Sequence, residues 1–117
     1  MRNIKLGEQN LQFRFTLRDI IKFEKKIGAI SQLEKMLADN VSKSIEVAAT
    51  ILSIGLTSAN KAAQIDEEVT VDQALDLMDE DGLEAVQIVF DAFSKETDSS
   101  AHGKKKTGSS AKVKKIG

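Results

Sequence analysis

At 117 residues with 41% apolar content, the chain has the size and the aliphatic supply of one folded domain. Cysteine is absent and histidine occurs once, which excludes disulfides, thiolate metal sites, His-based triads and multi-histidine metal sites. The formal charge of −1 conceals two unlike parts: residues 1–98 hold all 18 acids and 11 of the 17 Lys plus Arg, a balance of −7, while residues 99–117 hold six lysines and no acid.

In chain order, "NIKLGEQNLQFRF" alternates Ile4, Leu6, Leu11, Phe13 and Phe15 with polar residues around the connection Gly7 to Asn10. That period of two predicts a hairpin with one buried face. Next, "FTLRDIIKFEKKIG", Phe15 to Gly28, turns from strand to helix. Thr16 with Asp19 three positions on predicts a capping-box-like start, and Gly28 predicts the close. Between them Leu17, Ile20, Ile21, Phe23 and Ile27 are expected on one side, with Arg18, Asp19, Lys22, Lys25 and Lys26 largely opposite.

The same punctuation recurs downstream. Ser31 with Glu34 predicts a short helix bearing Leu33, Met36 and Leu37, and Ser44 is expected to cap "IEVAATILSIGL", whose apolar residues surround most of its circumference. That third helix is the expected centre of the core. A polar connection is read from Thr57 to Glu68. Thr70 with Gln73 then opens a helix carrying Val71, Ala74, Leu75 and Met78, and Asp81 with Glu84 opens the last. There Leu83, Val86, Val89, Phe90 and Phe93 are expected to share a face, with Glu84, Gln87 and Asp91 pointing away. The fold class expected is mainly α (α+β): an N-terminal β-hairpin, about five short helices over residues 1–98, and a disordered tail. The tail, "SSAHGKKKTGSSAKVKKIG" over residues 99–117, is too poor in apolar groups to offset its ordering entropy.

Signals for chemistry are weak along the whole chain. His102 stands in the tail, and Asp76, Asp79, Glu80 and Asp81 read as a solvated helix end. Aligning Asp79, Asp81 and Gly82 with a calcium loop places Leu77 and Ile88 where oxygen ligands are required. Gly55 and Gly82 are isolated, with no phosphate-binding motif. The chain is therefore read as a protein without enzymatic activity, cofactor or metal. No apolar run approaches the roughly 20 residues of a membrane span, and polar groups are interspersed through the whole of residues 1–20, unlike a secretory signal. Lys104, Lys105, Lys106, Lys112, Lys114 and Lys115 could contact phosphates. Against a nucleic-acid partner stand an acidic body and a tail without aromatics.

The succession of "FTLRDIIKFEKKIGAISQLEKML", "IEVAATILSIGLTSAN" and "VTVDQALDLMDEDGLEAVQIVFDAFSKE" resembles the tail assembly chaperones of long-tailed bacteriophages and related prophage elements, over approximately residues 3–96. The marks are an aromatic strand before a Leu-containing helix, the "FEKKIG" ending, an apolar middle helix and a last helix reached through "TVDQALDLMDEDGLEAV". The resemblance implies a protein of the host cytoplasm that binds and solubilises the tape measure protein, helps recruit tail tube subunits and leaves before the virion is finished. It further implies a longer form made by ribosomal frameshift, with "HGKKKTG" as the candidate slip region and the tube protein reached through the extension. Self-association is compatible with it. The first face to consider for the partner is Leu83, Val86, Phe90 and Phe93, because aromatic anchors carry much binding energy. The competing reading is a small nucleic-acid-binding or regulatory adaptor that uses the lysine tail.

Overall fold

The computed structural model describes residues 1–33, 35 and 41–102. Glu34, Met36 and Leu37 of the expected second helix, and Lys104, Lys105, Lys106, Lys112, Lys114 and Lys115 of the tail, lie outside the described residues. Among the described residues, two antiparallel strands, β1 (Arg2–Leu6) and β2 (Gln9–Phe13), precede the α-helices α1 (Leu17–Lys26), α2 (Val41–Ala62), α3 (Val71–Asp79) and α4 (Leu83–His102). The fold is mainly helical with an N-terminal hairpin, as the residue pattern predicts.

Leu6 pairs with Gln9, so the hairpin connection is the two residues Gly7 and Glu8 rather than the expected four. Gly7 takes φ 60°, and a glycine in the first central position suits the turn whose twist matches the flanking strands. Its amide donates to Asp81 Oδ2 at 2.9 Å, and a Cβ there would meet Glu80 Oε1 at 2.4 Å. The turn is thereby fitted against the α3–α4 junction. Ile4, Leu6 and Phe13 are buried on the inner face.

Thr16 caps α1 as expected: Asp19 N–H donates to Thr16 Oγ1 at 3.3 Å and Thr16 N–H returns to Asp19 Oδ2 at 2.8 Å. The expected apolar side of α1 is too wide. Phe23 is fully buried, but Leu17 and Ile21 are exposed, because at about 100° per residue they stand about 120° and 160° round the helix from Phe23. After Gly28, at φ 132°, a 3-10 turn, Ile30–Gln32, leads into the expected second helix, of which Leu33 and Lys35 are described and helical.

Helix α2 is 22 residues long and begins at Val41, so Ser44 lies within its first turns and does not cap it. Nor does the helix stop at Thr57. Its buried residues run from Val47 to Ala59 and cover most of its circumference, and it is the centre of the core, in contact with β2, α1, α3 and α4. Several of its polar residues hold the segment that follows. Ser53 Oγ donates to Val69 O at 2.7 Å, Val69 N–H donates to Thr57 Oγ1 at 2.9 Å, and Asn60 Nδ2 donates to Glu67 O at 3.1 Å. Successive turns of α2 thus fasten the connector that leads to α3. The helix closes with Gln64 N–H on Lys61 O at 3.0 Å and Ile65 N–H on Asn60 O at 2.8 Å, a Schellman pair whose left-handed residue is Gln64, φ 63°.

Thr70 and Gln73 form the expected capping box of α3. Asp81 does not cap α4; its carboxylate serves Gly7, and α4 starts behind Gly82. The backbone of α4 continues to His102, past the expected boundary at residue 98. Four rings close one end of the core: Phe15 meets Phe93 edge-on at 5.0 Å and Phe23 at 6.5 Å, Phe23 meets Phe93 at 5.8 Å, and Phe13 stacks on Phe15 at 6.0 Å. Phe13 also lies across α2 at Gly55, where a Cβ would stand 2.0 Å from the ring. The adjacent Arg14 amide donates to Gly55 O at 3.2 Å, and Arg14 Nε donates to Ser58 Oγ at 2.9 Å.

Candidate partner-binding face

The four residues expected to meet a partner divide between core and surface. Val86 and Phe93 are buried, Phe90 is half-buried against the core, and Leu83 is 61% exposed. The reason is again angular. The buried stripe of α4 centres on Val89, with Ala85, Val86, Ala92 and Phe93 around it. Leu83 and Phe90 stand about 100° or more from that centre and within about 20° of each other, so they share a flank. Leu83 and Phe90 can meet another molecule with the domain intact. Phe93, packed on Phe15 and Phe23, becomes available only if the core opens.

Leu83 borders a groove of about 190 Å³ formed with Ile45 of α2, Leu75, Met78 and Asp79 of α3, and Val86 of α4. The groove exists because the chain reverses sharply between α3 and α4. Asp81 and Gly82 N–H both donate to Met78 O, at 3.2 and 3.0 Å, which sets Leu75 and Met78 beside Leu83 and Val86. Val41, one turn before Ile45 on the same face of α2, is 59% exposed. The apolar surface therefore extends beyond the residues that periodicity picked out.

The surroundings are acidic. From Ala62 to Ser94 the sequence has ten Asp or Glu and no Lys or Arg, and Asp72, Asp76, Asp79, Glu80 and Glu84 are exposed. On α2, Lys43 pairs with Glu46 at 3.3 Å. A second concavity, about 560 Å³, lies between Gln9 and the residues Glu67, Glu68, Gln73 and Asp76, continuing the same acidic side. The opposite character appears on α1. Leu17 and Ile21, 65% and 56% exposed, sit among Arg18, Lys22 and Lys25, and Leu17 borders a cleft of about 600 Å³ lined by Arg14, Phe15, Arg18 and Glu96. A signal for Leu17 and Ile21 was present in the sequence: of the four apolar positions within the ten residues of α1, these two lie farthest round the helix from Phe23 and cannot share its arc.

Among the described residues, no group of three or more His, Cys, Asp or Glu is placed to hold a metal ion, and no helix is long and apolar enough to cross a membrane. The expected carboxylate group is dispersed, with Asp81 turned to Gly7 and Asp76, Asp79 and Glu80 on the surface. The lysines expected to contact phosphates lie outside the described residues. Comparison with family models, curated proteins and solved structures finds no match.

Proposed function

We propose that the chain is a tail assembly chaperone of a long-tailed bacteriophage or prophage, a non-enzymatic protein that holds the tape measure protein soluble and helps recruit tail tube subunits. The observation that carries the reading is the succession of an aromatic hairpin strand, the helix ending in "FEKKIG", an apolar middle helix and a capped pair of helices, over the stretch that resembles that family. Surface chemistry supports it. A body with a balance of −7 resists aggregation, while Leu83, Val41, Leu17 and Ile21 offer apolar contact from helices already held in place. The chaperone works in the host cytoplasm and is absent from the mature virion; contact with the tube protein belongs to a longer, frameshifted form.

Coexpression with the tape measure protein encoded beside it tests this reading. The expected result is a soluble complex that copurifies with the 117-residue chain, with less soluble partner when Leu83→Asp is used. A tape measure protein that stays equally insoluble with and without the chain refutes the function. Strong, salt-sensitive retention on DNA through the tail lysines, without any effect on that partner, would favour the adaptor reading instead.

A further inference from the structure

Leu83 presents an aliphatic side chain to solvent at the mouth of an apolar groove, and every charged residue in the chain from Ala62 to Ser94 has the same sign. Each fact alone is ordinary. Together they describe a surface that would reject an acidic or uniformly apolar ligand and accept one with an apolar stripe flanked by cations. Asp72, Leu75 and Asp79 stand three and four residues apart on α3, so a carboxylate lies one turn to either side of Leu75 on the same face, and Asp79 itself lines the groove. A groove of about 190 Å³ holds a few aliphatic anchors rather than a small-molecule cofactor. Helices present such anchors at i, i+3, i+4 and i+7.

We propose that the groove between α2, α3 and α4, with Leu83 at its mouth, docks a cationic amphipathic helix of a partner protein. The proposal deepens the chaperone reading by giving the partner segment a location and a charge. Its apolar stripe covers Leu83, Leu75 and Ile45, and its lysines or arginines meet Asp79, which lines the groove, and Asp72 on the same face of α3.

The test uses the full 117-residue chain and a fluorescently labelled designed helix of about four turns, with leucines at i, i+3, i+4 and i+7 and lysines on the remaining face, read by anisotropy. The helix should bind, more weakly as salt rises. Leu83→Glu should weaken binding about tenfold or more, and so should the combined Asp72→Lys and Asp79→Lys variant, with circular dichroism unchanged for both. Equal binding of the same helix with glutamate for lysine, or of an equally charged peptide with its leucines scrambled, overturns the proposal. So does unchanged affinity in both variants. Replacing the six tail lysines with serine should leave the affinity as it was; binding that emerges only then would assign the groove to the chain's own tail. Release of monomers from a self-associated chain by Leu83→Glu, with no effect on the peptide, would assign it to a second copy. The two readings fail separately. A chain that binds the designed helix but does not solubilise the tape measure protein refutes the function alone, whereas undiminished solubilisation by Leu83→Glu refutes the groove alone.

Discussion

Replacing Gly55 with alanine sets two effects of opposite sign against each other in the middle of α2. By helix propensity alone, alanine in a helix interior is favoured over glycine by about 1 kcal/mol. Packing opposes it. The new Cβ would lie 2.0 Å from Cε1 of Phe13, 2.4 Å from Cδ1 and 2.7 Å from Cζ, where ordinary contact begins at 3.4 Å. The ring must therefore retreat by about 1.4 Å, the difference between 3.4 and 2.0 Å, and it has little room. Phe13 is fully buried and stacked on Phe15, in an interior with crystal-like density. Overpacking of this kind costs about 1–3 kcal/mol, and a ring pushed this far belongs at the upper end. Subtracting the propensity gain leaves a net loss of about 1–2 kcal/mol, or about 5–15 °C in Tm for a domain of this size. Thermal and urea unfolding followed by far-UV circular dichroism measure it. Phe13→Leu supplies the control: in that background Gly55→Ala should lose most of its penalty, which a double-mutant cycle reads as coupling. A rise in Tm for Gly55→Ala in the native background would show that propensity governs the site and would refute the packing argument.

Gln64→Gly should stabilise the domain by about 1 kcal/mol, because a non-glycine residue held in the left-handed region carries a cost that glycine does not; an unchanged or lower Tm would count against the strain. Thr57→Val should destabilise by about 1–3 kcal/mol, since the Val69 N–H loses its acceptor in a part-buried site, and faster amide exchange at Val69 is the local readout. Phe93→Asp should abolish cooperative unfolding, because it puts a carboxylate against Phe15 and Phe23. Leu83→Asp should leave the melting curve within about 0.5 kcal/mol of the native one. Equal losses in those last two variants would show that Leu83 is as much part of the core as Phe93.

Features set by neighbours in sequence were legible. The capping boxes at Thr16 and Thr70 each close within three residues, and the alternation of Ile4, Leu6 and Phe13 needs only the pleat. Features set by distant partners were not. Asp81 has the composition of a cap, but the amide it serves belongs to Gly7, 74 positions away. Thr57, Ser58 and Asn60 read as a loop because they are polar, yet Arg14 and the connector before α3 supply their partners and the helix runs through them. Gly55 carried no signal at all, since its requirement comes from a ring on β2. At the partner face, periodicity found α4 but placed Leu83 with Phe93, because an apolar residue at the margin of an arc looks the same in sequence whether it faces inward or outward. The run without a base from Ala62 to Ser94 was visible throughout; only the fold shows which of its acids, Asp79, stands at the apolar groove.

Glu96 holds more than one segment of the chain: Oε2 stands 3.4 Å from Arg2 Nε, and Oε1 accepts from the Phe15 amide at 3.3 Å. The first strand and the last helix therefore share an edge. From Glu96 to His102 the backbone of α4 advances only about 9 Å further, so the two ends of the described chain leave the domain near each other. A short flexible bridge between them would add little closure entropy, because each doubling of its length costs only about 0.6 kcal/mol. The domain is accordingly suited to insertion as a module within another chain, and to circular permutation, with the Arg2–Glu96 pair holding the join.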